Sequence, residues 1–237
     1  MSQILSWPLF AGLVLLAIGL WTVRSELSAL RGLAKLIALG PVLTAAPLAV
    51  FGAEHLVEAR SVMNIVPEWM PARLFWTYLV GFALIAAALS FVLSRYVRLS
   101  ATLLGIMFLS FVAMIHLPNA FKSPGDRILW AVAVRDTAFA GGALAFAGTF
   151  GSNYLIPVGR VLNGIAAVFF GVEHFLHPEF APGVPLAMQT PSWVPIRELW
   201  GYLAGAVLIA SGSFTLRSAQ WAPSAAARQV SGARYQR

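Results

Sequence analysis

Seven stretches of this chain are apolar over enough residues to cross a bilayer, which takes about twenty residues of helix. They fall near 5–23, 36–55, 74–93, 100–117, 128–149, 158–175 and 198–216, and the segments between them are too short for a separate folded domain. The fold class that follows is all-α: a multi-pass transmembrane helix bundle of about seven spans. Composition agrees. Apolar residues make up 59% of the chain, charged residues 11%, and the mean hydropathy is +0.79, whereas soluble domains carry roughly a quarter charged residues. Cysteine is absent, which excludes disulfides, thiolate metal sites and cysteine redox chemistry. The first stretch lacks a basic segment before it and a small-residue cleavage site after it, so it is expected to be a retained helix rather than a signal peptide.

Within this apolar chain one pattern is written twice. Phe51-Gly52-Ala53-Glu54-His55 returns as Phe170-Gly171-Val172-Glu173-His174, and Pro67-x-Trp69-x-Pro71-x-Arg73 returns as Pro191-x-Trp193-x-Pro195-x-Arg197. Trp76, Tyr78, Leu79 and Gly81 correspond to Trp200, Tyr202, Leu203 and Gly205, and ten of nineteen positions in 67–85 match 191–209. The offset is 119 residues for the Glu-His pair and 124 for the Pro-Trp-Pro element, so the second copy has a connection five residues longer. A repeat of this length is a structural unit. The second and sixth spans are four apart and run the same way through the bilayer, so the internal repeat is parallel, an arrangement also found in transporters.

The net charge of +7 does not indicate nucleic-acid binding, because the basic residues follow the membrane. With the N-terminus outside, ten of sixteen fall in the inner segments, five in the outer ones, and Arg135 within a span. This bias places the C-terminus in the cytoplasm and the protein in the inner (plasma) membrane. The acidic residues Glu54, Glu58, Glu68, Asp126, Glu173, Glu179 and Glu198 gather near the outer face. The tail after Arg217 is basic and rich in Ala, Ser and Gln; it reads as disordered and weakly attracted to anionic lipid.

The four histidines, His55, His116, His174 and His177, all fall at outer span ends. His174 and His177 share a face if their helix runs on to Pro178. Arg73, Trp76, Arg197 and Trp200 begin the returning spans, and Trp130 stands at the same level. Each has a plain reading. Tryptophans belong to the interfacial belt, prolines stiffen turns, and arginines snorkel. Arg135 and Asp136 are harder to explain that way, because charges about 10 Å inside a span are costly and require partners. Glu54 and Glu58 are candidates for Arg135, and Arg73 or His116 for Asp136. The Glu-His pairs are adjacent, so both side chains cannot easily bind one ion, and a metal is not expected. Covalent catalysis has no support, since no serine sits in a nucleophile elbow and no lysine lies inside a span.

Gly159-Arg160-Val-Leu-x-Gly164 leading to Phe-x-Gly171-x-Glu173-His174-Phe, then Pro-x-Trp-x-Pro and a glycine-rich span, resembles the opening helix pair of the DoxX-like family of small bacterial and archaeal membrane proteins. His116-Leu-Pro118, Pro124-Gly125-Asp126 and Arg135-Asp136 with Gly141-Gly142 resemble that family's third and fourth helices. The organisation expected is an N-terminal helix with its inner loop (1–35), a four-helix unit (36–150), a partial second unit of two helices (151–216) and the basic tail (217–237). The resemblance implies a quinone or an electron-transfer partner protein, and assigns no catalytic residue. The reading is an outward-facing pocket for a small hydrophobic ligand, a quinone or a lipid, in a membrane subunit of a redox system. Its ligand-binding or proton-exchange candidates are Glu54, His55, Glu58, Arg73, Trp76, His116, Arg135, Asp136, Glu173, His174, His177, Arg197 and Trp200. The alternatives are a transporter or channel for protons or small solutes, and a scaffold whose polar residues only lock its helices.

Overall fold

In a computed structural model of the chain, residues 7–151, 154–181 and 188–218 are described. The described residues are almost entirely helical. Helix α1 spans Trp7–Ala29, α2 Leu33–Val57, the short α3 Ala59–Val62, α4 Arg73–Leu93 and α5 Val97–Phe111. A π-helical turn, Val112–His116, joins α5 to α6, Leu117–Lys122; α7 spans Arg127–Gly148, α8 Leu155–Leu176 and α9 Arg197–Ser218. Seven of these helical segments are long and apolar enough to cross a membrane, with α5, the π turn and α6 forming one continuous span over Val97–Lys122. The expected spans are all present; five are a few residues longer than hydropathy alone marks them, α4 is one residue longer, and α7 keeps its expected length of 22 residues. The part of the expected tail from residue 219 onward lies outside the described residues.

Hydrocarbon is the only solvent that suits the outside of these helices. Leu33, Ile37, Phe82, Val207 and Phe214 are all more than half exposed, and a soluble surface does not carry apolar area on this scale. What holds helices together in such a solvent is close backbone approach at small residues. The chain is a multi-pass membrane protein built on that principle.

It divides into two compact units at Leu104/Gly105, within α5. This boundary is one of packing. The 36–150 and 151–216 segments are defined by sequence repetition, so the two divisions need not coincide. In the first unit α2 lies between α1 and α4. Gly12 and Gly19 of α1 sit against Ala46, Val50 and Val42 of α2, and Gly52 of α2 sits against Gly81 and Ile85 of α4. In the second unit α8 lies between α7 and α9. Gly141 and Gly148 of α7 face Gly159 and Ile156 of α8, while Gly171 of α8 faces Gly205 and Ile209 of α9.

The repeated letters therefore fold into repeated contacts. A Cβ placed on Gly52 would stand 2.7 Å from Ile85 Cγ1 and 2.9 Å from the Gly81 carbonyl oxygen; on Gly171 it would stand 2.6 Å from Ile209 Cγ1 and 2.9 Å from the Gly205 carbonyl oxygen. The turns that launch α4 and α9 match as well. Ala72 (φ 53°) and Ile196 (φ 48°) both adopt the left-handed conformation, which non-glycine residues rarely occupy. The Trp76 indole N–H donates to the Pro71 carbonyl at 3.0 Å, and that of Trp200 to the Pro195 carbonyl at 3.2 Å.

The five extra residues of the second copy lie in the connection from α8 to α9. The first copy makes the equivalent connection with α3 and a single 3-10 turn, Met63–Ile65. The second pairs two extended pieces: Ala181 N–H donates to Met188 O at 2.7 Å, Thr190 N–H to Glu179 O at 2.9 Å, and Phe180 bridges Gln189.

Candidate functional site

The candidate residues of the first unit make few polar contacts with one another. Glu54 and His55 lie half-buried near the end of α2, and Glu58, beyond its last turn, is exposed. His55 donates from Nδ1 to the Phe51 carbonyl at 2.7 Å, one turn back on its own helix. Glu54 and Arg73 form no ion pair within this unit. Trp76 uses its polar atom to tie down the turn from Pro71. This unit thus presents a carboxylate and an imidazole at a helix end, without charged partners of its own.

The second unit differs at the equivalent place. Glu173 is the counterpart of Glu54, and its carboxylate is held by Arg127 at 2.8 Å. Arg127 is the first residue of α7 and reaches the end of the neighbouring α8. The preceding residue, Asp126, caps α7 by accepting from the backbone N–H of Ile128 and of Leu129, which fixes the helix end from which Arg127 reaches out. His174, the counterpart of His55, is fully buried, and both of its ring nitrogens lack a hydrogen-bond partner. Among the described residues the Nε atom of Arg127 is likewise buried and unpartnered, and so is the Thr190 hydroxyl in the connection to α9. A neutral imidazole carries one donor and one acceptor, and each buried polar group left without a partner costs about 1–3 kcal/mol. The His174 ring and the Arg127 Nε–H therefore each carry unmet hydrogen-bonding capacity in an otherwise apolar bundle.

A second group lies on the opposite face of α7. Nine residues separate Arg127 from Asp136, two and a half turns of helix at about 3.6 residues per turn, so the two side chains leave α7 in opposite directions. Asp136 is 4% exposed. Its Oδ2 is 2.9 Å from His116 Nε2, while Oδ1 accepts from Arg135 Nε at 3.0 Å and Nη2 at 2.9 Å. Of the two partners expected for Asp136, Arg73 and His116, the contact observed is with His116. Arg135 turns instead to its own neighbour, with half its side chain exposed and its guanidinium 5.8 Å from the Phe139 ring. Adjacent residues point about 100° apart, but arginine is long enough to curl back across that angle.

His116 is the last residue of the π-helical turn. Pro118 follows two positions later; it has no N–H to donate to residue 114, and its ring crowds that carbonyl. The widened turn absorbs this break, and such turns recur at functional sites.

The remaining candidates stand apart from these two groups. Helix α8 ends at Leu176, and His177 has already left the helical conformation (φ −140°). His174 and His177 therefore do not share a helix face; His177 Nδ1 lies 3.5 Å from Glu179 Oε1 in the connection to α9. Arg197 is exposed, and Trp200, half exposed, closes the turn from Pro195 rather than walling a cavity. Among the described residues, no three His, Cys, Asp or Glu side chains are grouped so as to hold a metal ion.

Sequence reasoning overlooked Arg127, although a signal for it is present. Arg73-Leu-Phe-Trp76, Arg127-Ile-Leu-Trp130 and Arg197-Glu-Leu-Trp200 are three instances of one helix start, each with a proline two or three residues upstream. Trp130 behaves as its two relatives do, donating to the Pro124 carbonyl at 3.1 Å.

Residues 44–135 match the model of a family described as a domain of unknown function, DUF8561. The match covers under half of the chain. It takes in the first Glu-His pair, the first Pro-x-Trp-x-Pro element and His116, and stops before Asp136. No match was found among curated proteins, and none among solved structures.

Proposed function

We propose that this chain is a DoxX-like inner-membrane protein, N-terminus outside and C-terminus cytoplasmic, that binds a small hydrophobic ligand through a polar head at the outer end of its second unit. The ligand class is a quinone or a lipid with a carbonyl or hydroxyl head. The role that fits is a membrane subunit handing such a molecule to, or receiving it from, a redox partner protein.

The observation that carries this reading is His174, fully buried with both ring nitrogens unpartnered beside the Arg127–Glu173 ion pair. Buried polar groups in native proteins nearly always have partners, from the protein, ordered water or a ligand. A quinone carbonyl accepts from an imidazole N–H or from Arg127 Nε–H, and a quinol hydroxyl donates to the bare imidazole nitrogen. The same two residues thus serve both redox forms of such a head. Binding sites of this kind are mostly apolar, with a few polar groups that fix orientation, and the surrounding helices supply the apolar part.

Mass spectrometry of the molecules that co-purify with the gently solubilised chain tests this. A quinone or single lipid species in stoichiometric amount is the expected result, and bulk phospholipid alone overturns it. A second reading, a carrier of protons or small solutes, is favoured by the separate His116–Asp136–Arg135 group. A polar path continuing from that group to the cytoplasmic face would support it, and a closed inner end would exclude it.

A further inference from the structure

The Asp136 group has its own chemistry, independent of the ligand site on the other face of α7. Its carboxylate is ionised, because Oδ1 takes two hydrogen bonds from the Arg135 guanidinium, at 3.0 and 2.9 Å, and arginine stays charged in proteins. A carboxylate can only accept. The 2.9 Å contact between Asp136 Oδ2 and His116 Nε2 therefore has the proton on Nε2. That fixes the tautomer of neutral His116 and leaves Nδ1 as a bare acceptor. The His116 side chain retains 16% exposure, and Nδ1 is not among the buried polar atoms lacking a partner.

From this arrangement we infer that His116 is a proton-exchange site: Nδ1 takes up a proton from water that reaches it and returns it, with Asp136 holding the ring. No other bond is made or broken. Uptake converts neutral imidazole to imidazolium, and the Asp136–Arg135–His116 group passes from net charge zero to plus one. Asp136 holds the ring through the Nε2–H bond it already makes, the division of labour by which a carboxylate orients a catalytic histidine. Intramembrane ionisable residues of this kind mark proton relays.

The charged groups facing His116 within the second unit are few. From α7 they are Asp136 and Arg135; Arg127 leaves that helix on the opposite face. From α6 the nearest is Lys122, six residues on at the exposed end of the helix, and α5 carries no charged residue after Arg98. Asp136 is the negative charge that compensates the imidazolium, so the inference rests on this one contact.

The test uses the full chain in lipid nanodiscs with 15N-labelled histidine, read by NMR. The signals of His116 are assigned by their loss in His116→Gln or, should that variant not fold, by elimination with His55→Gln, His174→Phe and His177→Gln. The pH is cycled across the range in which an ordinary imidazole titrates. The expected result is a neutral ring protonated on Nε2 alone, and a reversible gain of the Nδ1 proton within the cycle. In Asp136→Asn the single tautomer should give way to a mixture. A neutral ring protonated on Nδ1 would overturn the inference. So would a His116 protonation state that never changes through the cycle, which is what a purely structural hydrogen bond gives. The wild-type cycle decides the matter even if Asp136→Asn fails to fold.

Discussion

At the scale of single residues, the two copies of the Glu-His pair show how one sequence motif yields two environments. Glu54 and His55 sit half-buried at a helix end, and His55 satisfies one nitrogen on its own backbone. Glu173 is paired with Arg127, and His174 is fully buried. Nothing in α1 could play the part of Arg127, since the first basic residue of the chain is Arg24, near the C-terminal end of that helix. The consequence for His174 has a definite sign. Phe in its place removes two unmet polar atoms and fills the volume with apolar surface, so His174→Phe should raise the stability of ligand-free protein by about 1–3 kcal/mol. A higher thermal midpoint in detergent, measured after exhaustive removal of bound lipid, is the expected outcome. A large fall would mean that the imidazole has a structural partner. The motif itself was legible in the sequence because it is repeated. The pairing of only one copy was not, because it depends on a cation 46 residues away from Glu173.

At the scale of helices, glycine spacing determines which faces meet. The repeat was visible in sequence over α2–α4 and α8–α9, and the structure extends the likeness: α7 packs on α8 as α1 packs on α2, through glycines on the preceding helix. That third correspondence was hidden because α1 and α7 share spacing of small residues rather than letters. The equivalence of Gly52 and Gly171 can be measured. Gly52→Ala and Gly171→Ala each drive a methyl into an isoleucine and a facing backbone carbonyl, and overpacking of this kind costs about 1–3 kcal/mol. Their effects on detergent stability should agree closely, since their surroundings agree to about 0.1 Å. Gly142, with open space around its Cβ position, is the control. Gly142→Ala should be neutral or stabilising by up to about 1 kcal/mol, as helix propensity favours alanine. Unequal losses at 52 and 171 would break the structural equivalence of the copies. The π turn at Val112–His116 was not legible from hydropathy, which is uniform through it; Pro118 was the only local sign.

At the scale of the whole molecule, hydropathy determined the fold class, and the charge pattern supplies an orientation. Both Pro-x-Trp-x-Pro turns should lie outside and the tail inside. The chain lacks cysteine, so single cysteines introduced at 64 and 225 report directly. An impermeant maleimide should label position 64 in intact cells and position 225 only after lysis, and the reverse pattern would invert the topology. The thirteen candidate residues were drawn from one membrane face, and within the second unit they do not form one constellation. Depth in a bilayer follows from counting residues, whereas lateral position depends on which helix faces meet. Opposite faces of α7 carry the two groups that matter, and the other candidates serve as turn closures or interfacial residues. The central claim is that the His174 group holds the head of a hydrophobic ligand. Its most direct test compares, by mass spectrometry, the molecules co-purifying with wild-type protein, His174→Phe and His55→Phe. The account predicts one quinone or lipid species retained by the wild type and by His55→Phe and lost from His174→Phe. Equal content in all three, or bulk phospholipid alone in the wild type, would contradict it.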